Sequence, residues 1–88
     1  MKMMIVLVND RDATEVISAL IEREFRVTRI ASSGGFLRRG NSTLIIGIEE
    51  EKIDAALEVI RASCQEPERE SQRRATIFVL DVADFKQL

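Results

Sequence analysis

The chain has 88 residues, with 13 basic and 15 acidic side chains, a net charge of −2, one cysteine and no histidine. That length predicts a single domain over residues 1–88, near the size at which one core becomes marginal and association of copies adds useful burial. The charge balance argues against the broad basic surface of a general nucleic-acid binder, and the missing histidine removes imidazole acid–base chemistry and disfavours a transition-metal site.

Residues 2–8, Lys-Met-Met-Ile-Val-Leu-Val, form a short apolar run with β-branched members. It stops at Asn9-Asp10-Arg11-Asp12 without a small-residue cleavage site, so it reads as a first strand rather than a signal segment. Asp10 and Asp12 are candidate helix caps, and Asp12-Ala-Thr-Glu15 fits a capping box. Val16, Ile17, Leu20 and Ile21 then recur at helical spacing to about residue 24. Phe25 to Ala31 has strand composition and ends in Ser32-Ser33-Gly34-Gly35, with a loop running to Gly40 or Asn41.

Thr43 to Ile48 predicts a further strand in which Gly47 marks a bulge or a close backbone approach. Glu49, Glu50 and Glu51 suit the start of a helix, where the macrodipole favours negative charge. Ile53, Leu57, Ile60 and Cys64, with Ala56 beside them, give that second helix its apolar stripe. Residues 65–74 read as an exposed connector, Ala75 to Val82 as a last strand, and Phe85 as an isolated aromatic that should dock. The order β-α-β-β-α-β predicts an α+β, ferredoxin-like split βαβ sandwich. With both helices on one face, the other sheet face is expected to pack on another copy. No apolar run reaches the roughly 20 residues that span a bilayer. A lone cysteine makes an internal disulfide impossible and a cytoplasmic location the default.

The stretch from Phe25 to Thr43 concentrates three of the four glycines and five hydroxyl side chains, and over residues 23–43 Arg23, Arg26, Arg29, Arg38 and Arg39 are opposed only by Glu24. Bare amides and guanidinium forks both favour phosphate, so the region is a candidate anion cradle. Gly34-Gly35 is either a turn needing positive φ or a place where backbone meets ligand. It matches neither the Rossmann nor the Walker spacing. Phe36-Leu37 either folds onto apolar surface or offers a ring to a planar ligand. Arg38 and Arg39 read as solvated charges, whereas Arg26 beside Thr28 on a strand can aim at an anion. Asn41 either caps a turn or reads a base edge through its paired donor and acceptor. Helix-start electrostatics account for the glutamate run better than catalysis does, Cys64 falls on the core stripe, and no nucleophile–base pair emerges. The residues by themselves predict a small binding or assembly domain with an anion as the favoured ligand, no catalytic residues and no cofactor.

Phe25-Arg26-x-Thr28, followed by Ser33-Gly34-Gly35-Phe36-Leu37-Arg38-x-Gly40-Asn41-x-Thr43, resembles the signature of the PII-like cyclic di-AMP receptors of the PstA/DarA type. The likeness runs from Met1 to Cys64 and resumes in Ala75 to Leu80 and in Phe85-Lys-Gln87. It implies a homotrimer of ferredoxin-like subunits with one cyclic dinucleotide in each cleft between neighbours. Carried onto matching positions, Arg26 would approach a phosphate, and Thr28 and Asn41 would hydrogen-bond the nucleotide. Gly35, Phe36 and Leu37 would line the pocket, Gly47 would give close backbone contact, Phe78 would pack on an adenine, and Gln87 would reach in from the tail. The resemblance further implies a sensor acting through a protein partner. ATP or ADP in the same cleft and a ligand-free assembly subunit are the rival readings. Two departures stand out: residues 65–74 replace a longer Gly- and Pro-containing loop, and Glu24 stands where the family tends to have a neutral amide.

Overall fold

The computed structural model describes residues 1–30, 40–65 and 73–88. Its elements are β1 (Lys2–Asn9), α1 (Asp10–Glu22), β2 (Arg26–Ile30), β3 (Asn41–Ile48), a 3₁₀ turn (Glu50–Lys52), α2 (Ile53–Ser63) and β4 (Ala75–Asp81). The four strands form one antiparallel sheet in the order β2-β3-β1-β4. This α+β arrangement, a sheet with two helices, is compatible with the predicted ferredoxin-like fold.

Alternation along the strands decides what each face does. Met4, Val6 and Val8 of β1 and Leu44, Ile46 and Ile48 of β3 are buried on one face. There they meet Ala13, Val16 and Leu20 of α1 and Ala56, Val59 and Ile60 of α2 in one core cluster. A fully buried aliphatic side chain of this kind contributes roughly 1.5–3 kcal/mol through lost contact with water. The two helices lie against each other over that face. Met3, Ile5, Leu7 and Ile45 point the other way, stand outside the core cluster and remain partly exposed.

Several expectations are corrected in detail. The N-cap of α1 is Asn9, whose side-chain oxygen accepts from the Arg11 backbone N–H at 3.1 Å, and not Asp10 or Asp12. Asp12 is instead 2% exposed, accepting from the Gln65 backbone N–H at 3.2 Å, so it ties the start of α1 to the end of α2. Ile21 is exposed although its spacing assigned it to the apolar face, and Val59, outside the predicted stripe, is buried. β3 begins two residues early, so Asn41 is a strand residue paired with Asn9 rather than a turn cap. Gly47 forms no bulge: its partners Met3 and Arg26 fall in uninterrupted registers on either side. Phe85 is 58% exposed and does not dock on the described residues. The segment containing Gly34, Gly35, Phe36, Leu37, Arg38 and Arg39, and most of the 65–74 connector, lie outside the described residues.

Glu24 has φ of 66°. Its N–H bonds the Ile21 carbonyl at 2.9 Å and the Phe25 N–H bonds the Leu20 carbonyl at 3.0 Å. These two bonds are the Schellman closure of a helix, with Glu24 in the left-handed position that glycine or asparagine fills most easily. Phe25 packs on the core that holds Leu20, supplying the apolar contact this closure favours. A side chain with a Cβ pays roughly 1–2 kcal/mol in that conformation, part of which glycine returns through its freer unfolded state. Glu24→Gly is therefore expected to raise the melting temperature by a few degrees in a thermal scan, while Glu24→Ala, which keeps the Cβ, gives no gain. Equal effects from both would remove backbone strain as the cause.

Candidate functional site

The register places five of the sequence candidates, Arg26, Thr28, Asn41, Gly47 and Phe78, on a common surface. Arg26 pairs with Gly47, Gly47 with Met3, and Met3 with Leu80, which makes one cross-sheet row. Thr28, Ile45, Ile5 and Phe78 make the next. Ile30, Thr43, Leu7 and Thr76 make a third. Directly paired residues in an antiparallel sheet share a face, so Arg26, Thr28, Gly47 and Phe78 all lie on the face away from the helices. Asn41, two residues along β3 from Thr43, lies on the same face at its end.

This face is apolar at its centre and polar along one margin. Phe78 is 53% exposed and Leu80 is 42% exposed at the β4 edge, while Arg26 and Thr28 are exposed at the β2 edge. Three inter-strand steps of about 4.8 Å put the two edges roughly 14 Å apart. One chain thus offers an aromatic platform and a guanidinium on the same surface without bringing them together. Gly47 leaves the space beside Arg26 without a side chain. A Cβ built there would meet the Met1 side chain at 3.5 Å, an ordinary contact, so the notch is shallow. Gln87 is exposed in the C-terminal tail beyond β4. Gly35, Phe36 and Leu37 fall outside the described residues.

Of the arginines grouped by the sequence, Arg23, Arg26 and Arg29 are described, and Arg29 does not share the face of Arg26. Alternation turns Arg29 to the helix side, where its Nη2 donates to Ser42 Oγ at 2.8 Å. Ser42 Oγ in turn donates to Asp10 Oδ1 at 2.6 Å. Composition did not reveal this set, but a serine two residues before the inward Leu44 was the available signal, because a buried hydroxyl demands partners. Elsewhere, burial followed by the nearby Asp12 carboxylate raises the Cys64 thiol above its ordinary value, which suppresses thiolate chemistry. Lys2 and Asp81 pair across β1 and β4; their hydrogen bond raises the lysine's pKa and lowers the carboxyl's.

Among the described residues, no group of three or more acidic or cysteine side chains is arranged to hold a metal ion. No described helix is long and apolar enough to cross a membrane. An open groove of about 280 Å³ between α2 and β4 is lined by Leu57, Ile60, Ala75 and Ile77 with Arg61, Arg73 and Arg74. It lies on the helix side of the sheet, apart from the face that carries Arg26 and Phe78.

Among solved structures, a crystal structure of a functionally unknown protein from Pediococcus pentosaceus is similar to this chain throughout. It is 34% identical, covers 99% of this chain and 96% of that one, and superposes with a TM-score of 0.76. The family model for the cyclic-di-AMP receptor matches residues 1–74. That span includes β1 through α2 and every candidate position except Phe78 and Gln87. With more than four-fifths of its length matched, the chain belongs to the cyclic-di-AMP receptor family.

Proposed function

We propose that this protein binds cyclic di-AMP in clefts between the subunits of a homotrimer and acts in the cytoplasm as a non-enzymatic sensor through a protein partner. The observation that carries the reading is the helix-free sheet face, which Arg26, Thr28, Gly47 and Phe78 share in a chain of this family. In this reading the two margins, roughly 14 Å apart on one copy, serve different pockets, and adjoining copies supply the other half of each. Arg26 forms charge-assisted bonds to a phosphate. Thr28 and Asn41 hydrogen-bond the nucleotide. Phe78 stacks on an adenine for about 1–3 kcal/mol. Gly35, Phe36, Leu37 and Gln87 complete the proposed contacts.

Ligand that binds only the folded protein stabilises it by mass action, by about 2.7 kcal/mol at a hundredfold excess over Kd. A thermal-shift panel is expected to show a rise on the order of 10 °C with cyclic di-AMP. No shift with cyclic di-AMP beside a clear shift with ATP or ADP would reassign the ligand. No shift with any nucleotide would leave an assembly subunit.

A further inference from the structure

Arg29, Ser42 and Asp10 sit beside the proposed ligand contacts but face the opposite side of the sheet. Arg29 follows Thr28 in β2, and Ser42 follows Asn41 in β3. Their hydrogen bonds run in one chain, from Arg29 Nη2 to Ser42 Oγ at 2.8 Å and from Ser42 Oγ to Asp10 Oδ1 at 2.6 Å. The backbone N–H of Asp10 also donates to the Gly40 carbonyl at 2.8 Å. Asp10 therefore grips the residues on both sides of Asn41, one through its amide and the other through its carboxylate. Asn41 is further paired with Asn9 across the sheet. Ser42 is only 5% exposed, so its hydroxyl is shielded from water while making one bond as donor and one as acceptor.

We propose that Arg29, Ser42 and Asp10 form a positioning relay that holds Thr28 and Asn41 in ligand-ready geometry from the covered face of the sheet. The three residues join β2, β3 and the first turn of α1 at the positions next to Thr28 and Asn41. Fixing them before ligand arrives removes an ordering cost from the binding step, which appears as affinity. The guanidinium and carboxylate, bridged by the hydroxyl, make both bonds charge-assisted and directional. The inference rests on the cyclic di-AMP reading and adds residues that touch no ligand.

The test is calorimetric titration of cyclic di-AMP into the wild type, Ser42→Ala and Ser42→Thr, well below their melting temperatures. Ser42→Ala is expected to weaken binding about five- to twentyfold, and Ser42→Thr, which keeps the hydroxyl, to stay within twofold of wild type. A purely structural role would lower the melting temperature of Ser42→Ala and leave the affinity of the folded protein unchanged. Should Ser42→Ala fail to fold, Arg29→Ala reads the same loss from the other end of the relay. Wild-type binding with an unchanged constant in the relay variant overturns the relay alone. A wild type that takes up no cyclic di-AMP overturns the ligand reading and the relay with it.

Discussion

Replacing Arg26 by Ala is expected to weaken cyclic di-AMP binding by roughly ten- to a hundredfold and leave the assembly intact. A hydrogen bond to a charged group is worth about 1.5–3 kcal/mol, and each 1.4 kcal/mol is a factor of about ten in affinity. Arg26 is exposed on β2, and its cross-strand partner is a glycine, so no neighbouring side chain in its row replaces the lost charge. Arg26→Lys should fall between the two, since an ammonium keeps the charge but loses the planar fork. Titration together with sedimentation velocity separates the outcomes. Unchanged affinity removes Arg26 from the site, and loss of the assembly makes it an interface residue.

The second large effect belongs to Ile5→Asp. Ile5 lies in the row Thr28, Ile45, Ile5 and Phe78, at the apolar centre of the helix-free face. It is not part of the core cluster beneath the helices. A carboxylate there leaves the single fold largely intact but cannot be buried against another copy without an uncompensated desolvation cost of several kcal/mol. In a threefold particle that cost recurs at every subunit. The variant is expected to sediment as the 10.0 kDa chain, against three times that mass for the wild type, with an unchanged far-ultraviolet circular dichroism spectrum. A variant that keeps the wild-type mass, or a wild type already at 10.0 kDa, would overturn packing through this face.

Much of the architecture was legible because period-two and period-3.6 patterns report burial directly. The runs around Met4-Ile-Val and Leu44-Ile-Ile marked the central strands, and Ile53 to Cys64 marked the second helix. What failed was local chemistry that several residue types can perform. Asn9, Asp10 and Asp12 all can cap a helix, and only the backbone shows that Asn9 does so while Asp12 turns inward to Gln65. Gly47 looked like a bulge because glycine weakens strands, yet regular pairing on both sides holds it in register. Ile21 followed the helical period but lies past the edge of the buried stripe. On β2, alternation sets Arg26 and Thr28 on one face, whereas a count of charges groups Arg29 with Arg26 although it faces the helix side. The resemblance to the family rested on a long motif rather than on any one of its residues, and part of that motif, Gly35 to Leu37, lies outside the described residues.

The roughly 14 Å between the Arg26 and Phe78 margins has a thermodynamic consequence. If neighbouring copies complete each pocket, a solitary chain owns fragments of two pockets and a whole one of neither. Guest and oligomer then favour each other reciprocally: saturating nucleotide lowers the protein concentration at which particles fall apart, and dilution expels nucleotide even when its own level is held constant. Such a sensor would register how much of itself the cell has made along with how much messenger is present.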